Sequence, residues 1–564
     1  MQNPGETMPE QSQRTAEEAR NTGRGWTLTA VCVATFMLML DLTVVNVALP
    51  DMRATFDASF SELQWVLDAY ALGLAVFLLT AGSLADRLGR KRVFNAGFVI
   101  FVLASLACGI APDALFLSVA RGVQGIGGAV LFAIGPALIG HEYRGKDRGW
   151  AFGVFGGVAG LAIAFGPLIG GALTEGLTWR WIFLVNVPIG LAALLTGALR
   201  MRESRDPRAQ RIDWWGLSTF SGALGLLVLG FLRGETEGWR SAPIFVMFAV
   251  SAVLFAVFWL IERRLGERAM LQLALFRNVT FNGISIVTLL CAAATMSAIF
   301  LQISYVQNVL GFSAWETGVR FLPLTLTLFV AAAVAGSLTT RMPQRVLVGL
   351  ALASIAVGLA LVTVVDADSA WTALLPSMFG IGLGMGLFNP PRASLSIAVV
   401  EPSKAGMASG IGETFQQVGV AVGIAAFGAL FQARVTDLFV GSAAGRALGD
   451  RAEEFGEAVA AGGGAEAAAG IRQPELAAQV DQAARTAFTD GLNDVMLVCA
   501  ALAALGALVS FAFIRTKDLH ESALAAHDDA SHASDAPDAS DTSDTSDADS
   551  GRENDLAPDT APVR

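Results

Sequence analysis

The sequence predicts an all-α membrane protein made of two six-helix halves with two further helices inserted between them. Three observations predict it: a composition rich in apolar and poor in charged residues, fourteen long uncharged runs, and a second half that copies the first at a fixed offset. The chain has 564 residues, 54% hydrophobic and 15% charged, with a mean hydropathy of +0.56. A soluble domain carries nearer one quarter charged residues, so an ordinary water-soluble enzyme is excluded. The formal net charge of −11 is local: residues 515–564 hold 13 acidic and 4 basic residues, and residues 433–490 hold 9 and 5. The remainder is close to neutral.

A bilayer core is about 30 Å thick and takes roughly 20 apolar residues per helical span. Such runs fall at 27–49, 65–85, 93–111, 115–139, 150–173, 181–199, 214–233, 243–261, 280–303, 317–338, 346–365, 371–391, 405–432 and 491–514. They are continuous rather than alternating, which excludes a membrane β-barrel. Basic residues collect in every second connection, for example Arg87, Arg90, Lys91 and Arg92, then Arg144, Lys146 and Arg148, then Arg341 and Arg345. The positive-inside rule places those loops in the cytoplasm, and fourteen spans then put both termini there. Residues 1–26 form a cytoplasmic N-terminal segment. The run that follows is long enough to span and is kept as the first helix rather than a cleaved signal.

Two segments lie outside the membrane. Residues 433–490 predict a long external loop in which Pro474 starts an amphipathic helix ending near Phe488. Residues 515–564, rich in Ser, Asp, Thr and Ala, predict a disordered acidic cytoplasmic tail. The four cysteines, Cys32, Cys108, Cys291 and Cys499, are scattered through separate spans and read as small apolar packing residues.

The repeat is carried by Gly82-Ser-Leu-Ala-Asp86-Arg87 after the second run and Gly336-Ser-Leu-Thr-Thr340-Arg341 after the tenth, an offset of 254. The same offset carries runs one and four onto runs nine and twelve, and the Gly-rich stretch 153–171 onto 407–425. The predicted division is therefore an N-terminal six-helix half at 27–199, two inserted helices with linkers at 200–278, and a C-terminal half at 279–514.

Polar residues inside the runs are few, so they carry the functional argument. Asp41 lies in run one and Arg121 and Gln124 in run four. A charge in the bilayer costs about 2.5 kcal/mol or more and needs a partner or a water cavity. Asp68 lies near the outer end of run two and Glu413 in run thirteen; a buried carboxyl can exchange protons near neutral pH. Gly156, Gly160, Gly166, Pro167, Gly170 and Gly171 stud run five. Small residues at this spacing allow close helix approach, and Pro167 can bend the helix. No GxxxxGK[ST] occurs, since Gly145-Lys146 is followed by Asp147, which argues against ATP use. Three of the four histidines sit in the tail, no His/Cys cluster marks a metal site, and the short basic loops are explained by topology rather than nucleic-acid binding.

Two parallel six-helix repeats resemble the architecture of major facilitator transporters. Gly82-x-x-x-Asp86-Arg87-x-Gly89-Arg90-Lys91 resembles that superfamily's loop signature, which implies a conformational latch; Thr340 replaces Asp86 in the second copy. Arg121-Gly-Val-Gln124-Gly125 resembles the signature carrying the buried arginine of proton-coupled drug exporters, and Gly166-Pro167-Leu-Ile-Gly170-Gly171 resembles the antiporter motif. Leu40-Asp41-Leu-Thr43-Val-Val-Asn46, Trp65-Val-Leu-Asp68-Ala-Tyr70, Trp179-Arg-Trp and Asp213-Trp214 resemble the fourteen-helix drug:proton antiporters over about residues 27–514. The resemblance implies a multi-pass cytoplasmic-membrane exporter with no enzymatic activity and no cofactor, exchanging drugs, antibiotics or other amphipathic small molecules for protons. Its proton-coupling residues would be Asp41, Arg121, Asp68 and Glu413. Residues expected to line the substrate cavity are Asn46, Trp65, Tyr70, Gln124, Tyr305, Gln307, Asn389, Gln416 and Gln417. An exporter of lipids or cell-envelope precursors on the same scaffold is the alternative.

Overall fold

The computed structural model describes residues 10–515 except 59, 144, 205–212, 267–268, 270, 272, 340, 402–403 and 472. Of the expected N-terminal segment only residues 1–9 lie outside the described residues, and residues 10–26 are helical; the acidic tail after Arg515 and Thr340 also lie outside them. Helices are the regular structure throughout the described chain. The long ones are α1 (Glu10–Phe56), α2 (Phe60–Leu88), α3 (Arg90–Gly109), α4 (Ala114–Glu142), α5 (Gly145–Gly176), α6 (Trp181–Arg200, irregular at Val185), α7 (Trp214–Glu237), α8 (Ala242–Leu265), α9 (Val279–Asn308), α10 (Leu322–Leu338), α11 (Gln344–Val364), α12 (Leu375–Ala398), α13 (Ala405–Val440) and α14 (Pro474–Phe513). Among the described residues twelve of these are long and apolar enough to cross a membrane. The glycine-rich α5 and the 17-residue α10 occupy the other two predicted positions.

Short polar side chains set the helix starts. Asp113 accepts the Phe116 N–H (2.8 Å) at α4, Asp213 the Gly216 N–H (2.8 Å) at α7, and Asn278 the Phe281 N–H (3.0 Å) at α9. Ser313 and Glu316 form a capping box on the short helix Ala314–Arg320 that precedes α10. The Ser313 backbone N–H bound to Glu316 holds that carboxyl below the usual range. Gly89, at φ 110°, makes the corner between α2 and α3, a conformation that disfavours any side chain.

One apolar cluster joins α1 to α6 around Phe94, Phe98, Phe101 and Phe152; another joins α9 to α14 around Leu352, Ile355 and Phe431. A smaller cluster brings Phe220 and Leu224 of α7 and Phe258 of α8 against Leu79 of α2 and Met407 and Ile411 of α13. The inserted helices thus lie over the seam where α2 meets α13. Much of α8 is exposed and apolar, including Phe245, Val253 and Trp259, the surface a lipid-facing helix presents.

The segment at 433–490 differs from the expected loop. Helix α13 continues to Val440, three short helices follow (Ala443–Leu448, Ala452–Ala460 and Gly464–Ala469), and α14 runs unbroken from Pro474 to Phe513. Gly491 does not end the amphipathic stretch, because it packs against Val435 within the helix, so the stretch fuses with the last apolar run. At 1.5 Å per residue α14 is about 60 Å long, twice the hydrocarbon core. Phe455, Val459, Val480 and Phe488 pack this extension into the C-terminal core.

Candidate functional site

The polar residues of α1 and α4 meet inside the N-terminal half. Arg121 pairs with Asp41, and both are 1% exposed. Arg121 Nη1 also donates to Gln124 Oε1 (2.8 Å) and Nε to the Val66 carbonyl (3.2 Å). Gln124 Nε2 donates to Asp41 Oδ1 (3.0 Å) and Ser105 Oγ (2.9 Å). The guanidinium lies 4.1 Å from the centroid of the Tyr70 ring, a cation–π contact strengthened by the dry surroundings. Each partner of the buried charge pair is thus hydrogen-bonded by a third group, as a buried ion pair requires. One turn of helix α4 supplies Arg121 and Gln124 at i and i+3, the spacing that puts both on one face.

A second buried pair lies in the C-terminal half: Arg392 of α12 and Glu413 of α13 at 3.1 Å, with side chains 4% and 2% exposed. Arg392 Nε and Glu413 Oε2 are buried without a hydrogen-bond partner. Sequence reading singled out Glu413 but passed over Arg392. Its setting, Asn389-Pro-Pro-Arg392 near a helix end, looks like a boundary charge, yet α12 continues through both prolines to Ala398.

Asp86, expected in the latch, ties the end of α2 to the start of α13. Asp86 accepts the N–H groups of Gly406 (3.0 Å) and Met407 (2.8 Å) at the start of α13, and Arg90 Nε (3.0 Å) and Nη2 (2.7 Å). A carboxylate on the first N–H groups of a helix is stabilised by the helix dipole as well as by hydrogen bonds. Backbones touch at the same level: a Cβ on Gly82 would strike the Gly406 carbonyl, and a Cβ on Gly149 of α5 would strike that of Gly336 in α10. The end of the molecule that carries the basic loops is therefore closed by two glycine-to-glycine crossings, one from each copy of the repeat.

The α5 glycines divide between the halves. Gly166 and Gly170 face Thr43 and Val44 of α1, Gly156 faces Ala332 and Pro390, Gly160 faces Leu328, and Gly171 faces Trp315. The Pro167 side chain, like that of Asn46, lies outside the described residues. Asp68 is buried near Arg233 of α7, which stacks on Trp65 at 4.9 Å. That places Asp68 and Trp65 on the side facing the insert, away from Asp41. Gln307, Asn389, Gln416 and Gln417 are half-buried. Tyr305 departs from expectation: it is fully buried in the C-terminal core with its hydroxyl 3.4 Å from the Asp366 carbonyl, so it packs rather than lines a cavity. Tyr70 and Gln124 serve the Arg121 network. Among the described residues no cluster of three His, Cys, Asp or Glu could hold a metal.

The family model of the Major Facilitator Superfamily matches residues 31–216 and 214–424. The tetracenomycin C resistance and export protein of Streptomyces glaucescens is 33% identical over 518 residues, covering 89% of this chain and 94% of its own length. The multidrug resistance protein Stp of Mycobacterium tuberculosis is 34% identical over 413 residues, covering 72% and 76%. The crystal structure of a human organic anion transporter aligns over 85% of this chain and 99% of its own, with a TM-score of 0.57 at 12% identity. The latter is a likeness of fold.

Proposed function

This chain belongs to the Major Facilitator Superfamily, and from that premise we propose that it is a proton-coupled efflux transporter of drugs, antibiotics or other amphipathic small molecules. Relatives named for multidrug resistance and for tetracenomycin C export support the direction and the substrate class. The observation that carries proton coupling is the Asp41–Arg121–Gln124 network, an ion pair with no exposed member. Protonation of Asp41 removes the countercharge of Arg121 at a site closed off from bulk solvent. Arg121 must then find other acceptors, and α1 and α4 shift relative to each other. Helix α5, packed by glycines against α1 on one side and α10 and α12 on the other, carries that shift to the second half. The basic loops mark the cytoplasmic end, so the engaged latch describes a state closed to the cytoplasm. Substrate would enter when Asp86 releases the start of α13. The Arg392–Glu413 pair is a second site able to take up a proton, beneath the interface of the halves.

In everted vesicles, an acid interior should drive substrate uptake, and a protonophore should abolish it. Uptake sustained by ATP with no proton gradient would sink this reading. A groove of about 760 Å³ on the outer half of α2 and α4, with a floor of Ala69, Gly73, Ser118 and Gly122, favours a second one. It is large enough for a ligand and supports export of lipids or cell-envelope precursors. Lipid profiles of a deletion strain separate the two.

A further inference from the structure

Glu262 in the last turn of α8 is 1% exposed. Its Oε2 accepts the Leu271 N–H (3.0 Å), while Oε1 is buried without a partner. Asp213, the α7 cap, likewise uses one oxygen on the Gly216 N–H and buries Oδ2 unpaired. The two unpaired oxygens converge on one point: a Cβ on Gly216 would meet Asp213 Oδ2 and lie 2.6 Å from Glu262 Oε1. Only glycine leaves room for them. Arg87 of the latch loop lies in the field of both carboxyls and of Asp86, and its Nη2 donates to the Ala269 carbonyl (3.2 Å). Other charges point elsewhere: Arg90 is bound to Asp86, and Arg263 lies over Trp259.

We propose that Asp213, Glu262 and Arg87 form a proton-dependent clamp through which the two inserted helices hold the latch closed. Two carboxyls sharing a buried site keep one proton between them. That proton lets one orphan oxygen donate to the other, which satisfies both, and leaves a single negative charge for Arg87 to balance. When the proton leaves, two charges face one arginine and the carboxyls repel, pushing the start of α7 from the end of α8. The clamp is whole while the proton is bound and weakens as pH rises. Arg87 and Asp86 are adjacent, and Asp86 holds the start of α13, so the clamp supports the cytoplasmic closure directly. Resting on the antiport reading above, the consequence is a brake: an acid cytoplasm keeps the latch shut and slows further proton entry. Asp213 and Glu262 are positioning residues, acting through Arg87.

The test is hydrogen–deuterium exchange of peptides spanning 82–92 and 405–412, full chain in nanodiscs, from pH 6 to pH 9, corrected for intrinsic exchange. It needs no substrate and so is independent of the vesicle assay; a flat profile beside protonophore-sensitive uptake would fault the clamp alone. Wild type should lose protection as pH rises, by about tenfold for each 1.4 kcal/mol of clamp energy. Glu262→Gln, which keeps the Leu271 contact and donates an N–H to Asp213, should stay protected at every pH. Asp213→Asn, which still caps α7, should do the same. Arg87→Gln should lower protection at every pH. A wild type insensitive to pH, or amide variants that follow the wild-type curve, overturns the proposal.

Discussion

The two halves repeat the backbone but not its charges. Offset by 254, Gly82 becomes Gly336, and each glycine touches another across the seam, at Gly406 and Gly149. The same offset carries Asp41 to Thr295, whose hydroxyl merely bonds back to the Cys291 carbonyl (2.7 Å), and Arg121 to Leu375. The C-terminal pair, Arg392–Glu413, occupies unrelated positions and leaves an atom of each partner unsatisfied. The N-terminal pair is braced by Gln124, Ser105, Tyr70 and the Val66 carbonyl. Close backbone approach is a requirement of rocking two bundles against each other, and both copies meet it. Charge chemistry is needed at particular points only, so the copies diverge there.

This contrast can be broken most severely at the N-terminal pair. Arg121→Ala leaves Asp41 buried and unpaired, and should cost about 3–5 kcal/mol of stability and all proton-driven efflux, read by thermal unfolding and vesicle uptake. Gly82→Val and Gly336→Val should each block closure of the cytoplasmic end, because the neighbour is backbone and cannot yield. Cysteine cross-linking across the seam would detect it, and an effect confined to Gly82 would break the claim that the crossings are equivalent. Replacing Arg392 and Glu413 together by Met and Leu should be neutral or stabilising, as well-packed replacements of buried pairs often are. The matching swap at Asp41 and Arg121 should fold yet lose coupling. Smallest is Thr295→Val, expected to change stability by about 1 kcal/mol or less and leave efflux intact.

Much of this was legible in the sequence where chemistry and spacing agree. Asp41, Arg121 and Gln124 stand out because polar groups in long apolar runs must find one another. The Gly82–Arg90 loop stands out because glycine and aspartate recur at fixed spacing. Arg392 was hidden by the two prolines before it, which suggest a helix end that α12 does not have. Glu262 was hidden beside Arg263 and Arg264, where it reads as one more boundary charge; only packing brings it to Asp213. Helix α14 outran its apolar stretch because Gly491, the weak helix former after Phe488, packs against Val435 and stays helical, and periodicity alone does not mark where a helix leaves the membrane. Tyr305 shows the converse error: an aromatic with a hydroxyl inside a span suggests a ligand contact, yet a nearby carbonyl suffices to bury it.

The central claim is that Asp41 exchanges the proton that moves substrate. Purified wild type and Asp41→Asn, reconstituted in proteoliposomes with a pH-sensitive dye inside, test it most directly. Substrate added to the side that exchanges it should drive a protonophore-sensitive proton movement with wild type and none with Asp41→Asn, although the variant, its Arg121 contact kept by the amide oxygen, still binds substrate. An equal proton signal from both would contradict the account.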